Sequence, residues 1–435
     1  MARGRYIDAI YCVLIAIFVV ATTVSSDDIT PIPADDSKVS NWFQTNVKPW
    51  KSRKGTLDPA LEAAEAKSKI IIVSKDGKGE FKTVTDAINS VPPKNKQRVI
   101  IKIGPGVYTE KIQIERTKHF ITFLGDPKAM PTLAFNGTAY EYGTLASASV
   151  AIESTYFMAV NIIFKNTAPG PDSKKPGAQA VALRVGGDKA AFYNCKMFGF
   201  QDTLCDDRGR HFYKNCYVQG TVDFIFGRGR SLYLESHINV VNRKGSTYIT
   251  AQAKQNKTEV YGYSFVQCKI TGSGSRAYLG RAWRAMPEVV FSYTEMGAVV
   301  DPLGWSNNRL PERERTVFFA EYKNSGPGSN LKRRVKFAKK LTDREAKHFL
   351  SLGYIEGSKW LLPPPICVVC TAVGLFLYAL SSFSFYAANC YAFWDLCLDS
   401  NNSEEDESYV VLYIDHYDVQ VFFLVGETFV IACYC

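Results

Sequence analysis

The chain reads as an all-β protein wound into a parallel β-solenoid, with a short N-terminal helix and a C-terminal closing helix. Three observations predict this. Short runs rich in Val, Ile, Phe and Tyr alternate with Gly, Asn, Asp and Pro turns, and no long helices stand between them to make crossovers. The segment Phe192-Tyr-Asn194-Cys195-Lys-Met197 recurs as Phe212-Tyr-Lys-Asn215-Cys216-Tyr-Val218, with Asn194 and Asn215 twenty-one residues apart, and Phe265-Val-Gln267-Cys268-Lys-Ile270 repeats the phase. Asp202 and Asp223 keep the same spacing of twenty-one. An antiparallel β-sandwich is the competing architecture, and it lacks both the in-phase repeats and obvious two-residue hairpin turns.

If each repeat is one coil, equivalent positions on neighbouring coils lie about 4.8 Å apart across a parallel ladder. Asp202 and Asp223 would then occupy adjacent rungs. Two carboxyls that close cannot both ionise freely, so one is expected to hold a proton while the other stays anionic.

In chain order, Arg3 and Arg5 precede an apolar run from Ala9 to Val20 and small residues through Ser26, the layout of a secretory leader over 1–26. Residues 27–66 are polar and proline-containing, without a sustained period, and form a lead-in. From Ile70 the β-rich runs begin, taken as strands at Ile70–Val73, Arg98–Ile103, Lys111–Ile114, Ile121–Leu124, Val150–Ile152, Val160–Phe164, Val181–Val185, Ala190–Met197, Ser231–Leu234, Tyr248–Thr250, Tyr263–Ile270 and Val289–Tyr293. One helix-like segment lies between Phe81 and Pro92. Thr342-Asp-Arg-Glu345 is a capping box opening a helix through Leu352, where Gly353 would end it and the helix would cover the last coil. The β-rich body thus spans 67–365.

Residues 366–435 form an atypical tail. It holds nine acids and no Lys or Arg, so the formal charge of +10 divides into −9 for the tail and +19 for the rest. Its uncharged stretch 366–394 is long enough to span a bilayer; a disordered appendage and a membrane anchor are the two readings. Six of the eleven cysteines lie there; among the body's four, Cys195, Cys216 and Cys268 share one phase and are expected as stacked core residues rather than disulfides. The basic body suits a polyanionic partner. No zinc-finger spacing or homeodomain-like helix is evident, so acidic polysaccharide is favoured over nucleic acid.

Five motifs stand in order: Gly106-Val-Tyr108-Thr-Glu110, Gln179-Ala-Val-Ala-Leu183, Gln201-Asp202-Thr-Leu204, Gly220-Thr-Val-Asp223-Phe-Ile-Phe-Gly227 and Leu279-Gly-Arg281-Ala-Trp283. Through them the chain, from about Ile70 to Pro365, resembles plant-type pectinesterases. The resemblance implies a right-handed parallel β-helix that hydrolyses methyl esters of homogalacturonan, with no metal or organic cofactor. It implies Asp223 as nucleophile, Asp202 as general acid and base, and Gln201 and Gln179 as amide donors to the oxyanion. Arg281 would hold Asp223, Trp283 would offer a face to a sugar ring, and Thr144 matches a substrate-contact position.

Members of that family usually carry Pro where Ala282 stands, which predicts a looser loop here, and an aromatic residue where Cys205 stands. Some carry an N-terminal inhibitor-like domain for which the lead-in leaves no room, so regulation by such a domain in cis is not expected; a separate inhibitor protein is a candidate partner for the cleft. A secreted, monomeric cell-wall enzyme follows, with glycosylation sequons at Asn136, Asn256 and Asn401. Two rival functions remain: another polyuronate-cleaving solenoid enzyme, and a catalytically silent pectin-binding wall protein. A Ser-His-Asp esterase is disfavoured because no Gly-x-Ser-x-Gly elbow is present and the histidines fall outside the motifs; His211 is expected to be structural or to contact substrate peripherally.

Overall fold

A computed structural model of the chain describes residues 28–171, 176–241, 245–273 and 276–365, together with the backbone of 409–415, 418–425 and 428–431. The expected leader, the apolar stretch 366–394 and the sequon at Asn401 lie outside the described residues. The chain divides into a unit ending at Pro364 and a second unit from Pro365.

The first unit is a parallel β-helix with three ladders. One runs from Lys69–Val73 through Val99–Ile103, Ile121–Leu124, Met158–Val160 and Ala190–Tyr193 to Gly262–Val266, Glu288–Ser292 and Phe318–Tyr322. A second joins Ile112–Ile114, Val150–Ile152, Leu183–Val185, Thr247–Gln252, Ala277–Arg281 and Trp305–Ser306. The third holds eight strands from Val107–Thr109 to Glu295–Met296. Two long strands, Leu204–Lys214 and Val222–Leu234, bend through both the first and the second ladder and tie them into one sheet. Every ladder of this unit is parallel, which removes the sandwich.

Like residues stack on like because the ladder sets them side by side. Phe192, Tyr213, Tyr233, Phe265 and Phe291 are ladder partners, and their rings stack at 4.8, 4.5, 4.4 and 4.4 Å between centroids. Cys195, Cys216 and Cys268 are buried free thiols, as expected for core residues. Ser236 occupies the same phase, and its hydroxyl accepts the Cys216 N–H at 3.2 Å.

From Met158–Val160 onward, the corner after each strand of the first ladder is a single left-handed residue: Asn161, Asn194, Asn215, Glu235, Gln267, Tyr293 and Lys323, with φ between 49° and 59°. This corrects three expected strands. Val160–Phe164, Ala190–Met197 and Tyr263–Ile270 each turn at that residue, giving pairs such as Ala190–Tyr193 and Lys196–Phe198. An apolar run broken by one left-handed residue has no Gly or Pro to mark the corner.

The helix-like segment is α1, Val84–Asn89, capped by the Thr83 side chain, which accepts from the Asp86 N–H. The lead-in is ordered. Its helices Val39–Asn46 and Pro59–Glu65 lie on the outer face of the first ladder, where Trp42, Phe43 and Leu61 join Tyr193, Phe212 and Leu232 in one apolar cluster. The capping box forms as expected, but the α-helix covers only Asp343–Ala346 and a 3-10 turn follows to Leu350. Extended Ser351, φ −138° and ψ 163°, ends it before Gly353.

This segment meets the last coil through Phe349, stacked on Phe318, and through Asp343, which accepts from the Tyr322 hydroxyl at 2.9 Å. Phe349 and Tyr354 pack in the same outer cluster, and the Phe349 carbonyl accepts from the Ser264 hydroxyl at 2.7 Å. The lead-in and this segment close on each other: Ile32 N–H donates to the Leu350 carbonyl at 2.6 Å, and buried Arg53 donates to the carbonyls of Leu361, at 2.6 Å, and Ser358. Apolar outer residues on the first ladder need cover, and these two segments supply it.

In the second unit, Tyr409–Asp415, Asp418–Val425 and Thr428–Ile431 form an antiparallel three-stranded sheet. Among the described residues no helix is long and apolar enough to cross a membrane.

Phe43 stacks on Phe212 at 5.9 Å and meets Tyr193 edge-on at 6.1 Å, so Phe43→Ala is expected to cost about 3–4 kcal/mol of stability, read as a lowered urea midpoint. A midpoint unchanged within error would show that the lead-in does not stabilise the β-helix.

Candidate active site

Asp202 lies in the turn before the strand Leu204–Lys214, and Asp223 at the start of the strand Val222–Leu234. Leu204 pairs with Ile225 and Cys205 with Phe226, so the twenty-one-residue offset is a true rung spacing. Both acids have left-handed backbone, Asp202 at φ 66° and Asp223 at φ 50°. The Asp202 N–H donates to the Val222 carbonyl at 3.0 Å, which joins the two segments directly. Asp202 is 8% and Asp223 5% exposed: each carboxyl is almost wholly withdrawn from water yet still reachable.

Arg281 closes the strand Ala277–Arg281, two coils beyond, and reaches back to Asp223. Its Nε donates to Asp223 Oδ1 at 2.7 Å and its Nη2 to Asp223 Oδ2, a two-pronged clamp that fixes the carboxylate plane. Nη1 donates to Asn308 Oδ1 at 3.1 Å. The guanidinium lies 5.0 Å from the Tyr248 ring centre and 4.8 Å from that of Trp283.

These surroundings push the two acids apart. Burial raises the Asp223 pKa, and the hydrogen bonds and charge of Arg281 oppose that rise. Asp202 is pushed well above the usual carboxylate range by burial and then by the Asp223 charge, with only the more distant Arg281 charge pulling back. Of the two, Asp202 is the one whose surroundings favour the protonated form, and Asp223 the one whose carboxylate is held by a cation.

The remaining expected residues fall around this pair. Ala180 N–H donates to the Gln201 carbonyl at 3.1 Å, which puts Gln179 on the coil beside Gln201 and Asp202. Among the described residues no protein hydrogen bond engages the side-chain amides of Gln179 and Gln201, so their donors remain for a ligand. Thr144 lies in the loop before Ser147, and that loop is tied to the Gln179 strand by Ala139 N–H on the Gln179 carbonyl at 2.7 Å and Val181 N–H on the Ser147 hydroxyl at 3.1 Å. Trp283 is 44% exposed and keeps a free ring face.

The expected looseness of the Arg281 loop is not found. Ala282 is buried, and its N–H donates to the Ser306 carbonyl at 2.9 Å, a bond that proline could not make. Arg313 braces the loop further by donating to the carbonyls of Ala282 and Trp283. The Cys205 thiol is buried among Ala148 and Val181 rather than open to the cleft. Sequence reasoning missed Asn308, Tyr248 and Arg313. The ladder placed Tyr248 opposite Val222, one residue from Asp223, and only the strand register reveals it.

A parallel solenoid carrying two adjacent buried acids, one of them clamped by an arginine, is the architecture of a carbohydrate-active enzyme with a candidate acid pair. Comparison with known proteins makes this specific: the Pectinesterase family model matches residues 70–358. Pectinesterase 2 of Olea europaea is 52% identical over 359 residues, covering 82% of this chain and 98% of that one. The solved pectin methylesterase from carrot is 32% identical with a TM-score of 0.63, covering 67% of this chain and 94% of that one. A solved pectin methylesterase in complex with a hexasaccharide is 28% identical with a TM-score of 0.58, covering 67% of this chain and 98% of that one. The chain belongs to the pectinesterase family and is a carboxylic ester hydrolase.

Arg281→Gln removes the charge that opposes the rise at Asp223. The acid limb of the kcat/KM profile is then expected to move to higher pH, with kcat lowered about 100-fold at neutral pH, measured by titrating released acid across the pH range. The sign follows from the ionised form being the reactive one: activity appears only as pH rises through the Asp223 pKa. An acid limb at the parent position would show that Arg281 does not set that ionisation.

Proposed function

We propose that Asp223 attacks the carbonyl carbon of a galacturonyl methyl ester while Asp202 supplies the proton that methanol takes as it leaves. The observation that carries this reading is the Arg281 clamp, which singles out one of two adjacent buried acids. Asp223 Oδ bonds to the carbonyl carbon, and the carbonyl oxygen becomes an oxyanion facing the amide donors of Gln179 and Gln201. Collapse breaks the bond to the methoxy group, which departs as methanol with the Asp202 proton. Asp202, now anionic, takes a proton from water as its oxygen attacks the acyl carbon. The product acid leaves, Asp223 returns as carboxylate, and Asp202 is again protonated.

The substrate is methyl-esterified homogalacturonan, and the reaction leaves free carboxylates on the polymer. Trp283 and Tyr248 flank Arg281 with aromatic faces suited to a pyranose ring, and Thr144 borders the Gln179 end of the site. The hexasaccharide complex of a related enzyme supports a cleft that takes several sugars at once. The protein acts as a secreted monomer in the cell wall, after loss of the leader 1–26, and a separate inhibitor protein controls it. Residues 27–66 and 67–365 make the catalytic unit; the tail 366–435 is an appendage outside the matched family region.

The test is methanol release from highly methylated pectin by the chain 27–435 and by a chain ending at residue 365. Asp223→Ala is expected to abolish release, and Asp202→Asn to lower kcat by about 100-fold to 10,000-fold while pectin binding persists. New reducing or unsaturated ends in place of methanol would overturn the esterase reading. Equal rates from the two chain lengths would mark the tail as dispensable.

A further inference from the structure

A second buried charged cluster lies four residues beyond Asp202, and the reaction scheme does not use it. Asp206 and His211 are wholly buried. His211 Nδ1 meets Asp206 Oδ1, and its Nε2 meets the Gly187 carbonyl at 3.0 Å. Both ring nitrogens face acceptors, so the ring satisfies both only as an imidazolium. Tyr233 donates to Asp206 Oδ2 at 2.6 Å, and Tyr263 to the Asp206 carbonyl at 3.2 Å. Burial works against the charged ring, yet Asp206, Gly187 and the Asp188 carboxylate outweigh it and the His211 pKa is raised. The pair is thus tied to the preceding coil through His211 and to the two coils that follow through Asp206.

Its location has a geometric consequence. Ahead of Asp206 the ladder offset is twenty-one, with Leu204 opposite Ile225; beyond it the offset is twenty, with Arg208 opposite Arg228 and Tyr213 opposite Tyr233. The coil holds one residue more than the next, and the surplus is taken up as a bulge between Cys205 and Arg208. Had it been taken up before Asp202, an offset of twenty would set Asp202 opposite Val222. Two glycines receive the bulge: a Cβ at Gly227 would lie 2.1 Å from the Asp206 carbonyl oxygen, and one at Gly229 2.2 Å from Asp206 Oδ1.

We propose that Asp206 and His211 are positioning residues for ester hydrolysis: their buried pair holds the surplus residue downstream of Asp202 and so keeps Asp202 opposite Asp223. The inference rests on the reading that those two acids act together. A slip by one residue would move Asp202 about 3.3 Å along the ladder and turn it to the other face.

The experiment uses the full chain carrying Asp206→Asn with His211→Gln, which removes both charges together and leaves neither stranded. Expected is a kcat lowered about 100-fold with KM within about twofold, and a crystal structure with Leu204 opposite Phe224. A folded double variant with parental kcat, or with Leu204 still opposite Ile225, overturns the proposal. If the parent chain releases no methanol, the esterase reading fails and the register in the crystal still decides this one. If the double variant does not fold, Tyr233→Phe decides: kcat about fivefold lower at unchanged KM supports the proposal, and parental kcat overturns it.

Discussion

The parallel ladder is the constraint on which the rest depends. Every backbone hydrogen bond between coils requires equivalent residues to lie side by side, so a feature that suits one coil is repeated in the next. The aromatic stack from Phe192 to Phe291 and the buried thiols of Cys195 and Cys216 are favourable results of that rule. The column of left-handed corners from Asn161 to Lys323 is a costly one, at roughly 1 kcal/mol or more for each non-glycine residue. Burial of the stacked interior offsets it.

The same rule places two carboxyls on adjacent rungs, an arrangement that no structural purpose would favour. Burial and mutual repulsion both oppose ionisation, and the fold resolves the conflict unequally. Arg281 arrives from two coils away and clamps Asp223, while burial and the Asp223 charge push the Asp202 pKa up. Chemical asymmetry between identical side chains therefore originates in a third coil. Braces from Asn308, Arg313 and Ser306 hold that coil's loop in place.

The outer face of the first ladder presents a different problem. A solenoid buries the inward side chains by itself but leaves apolar outward residues such as Phe212 and Leu232 in need of cover. Two segments from opposite ends of the catalytic unit meet there, joined through Arg53 on the carbonyls of Leu361 and Ser358.

By itself the sequence determined whatever recurs at one coil's distance or lies in a contiguous motif. The solenoid, the in-phase thiols, the spacing of Asp202 and Asp223 and the Thr342 capping box were all legible, because each depends on neighbours at short or regular separation. The motif set also named Arg281 as the partner of Asp223. Only the tertiary structure decided how that partnership is braced, where the corners split the apolar runs, which face the two terminal segments cover, and on which side of Asp202 the surplus residue is absorbed. Those outcomes depend on contacts such as Arg53 with Leu361 or Asp206 with Tyr263, whose partners have no fixed spacing and become neighbours only once the coils are wound.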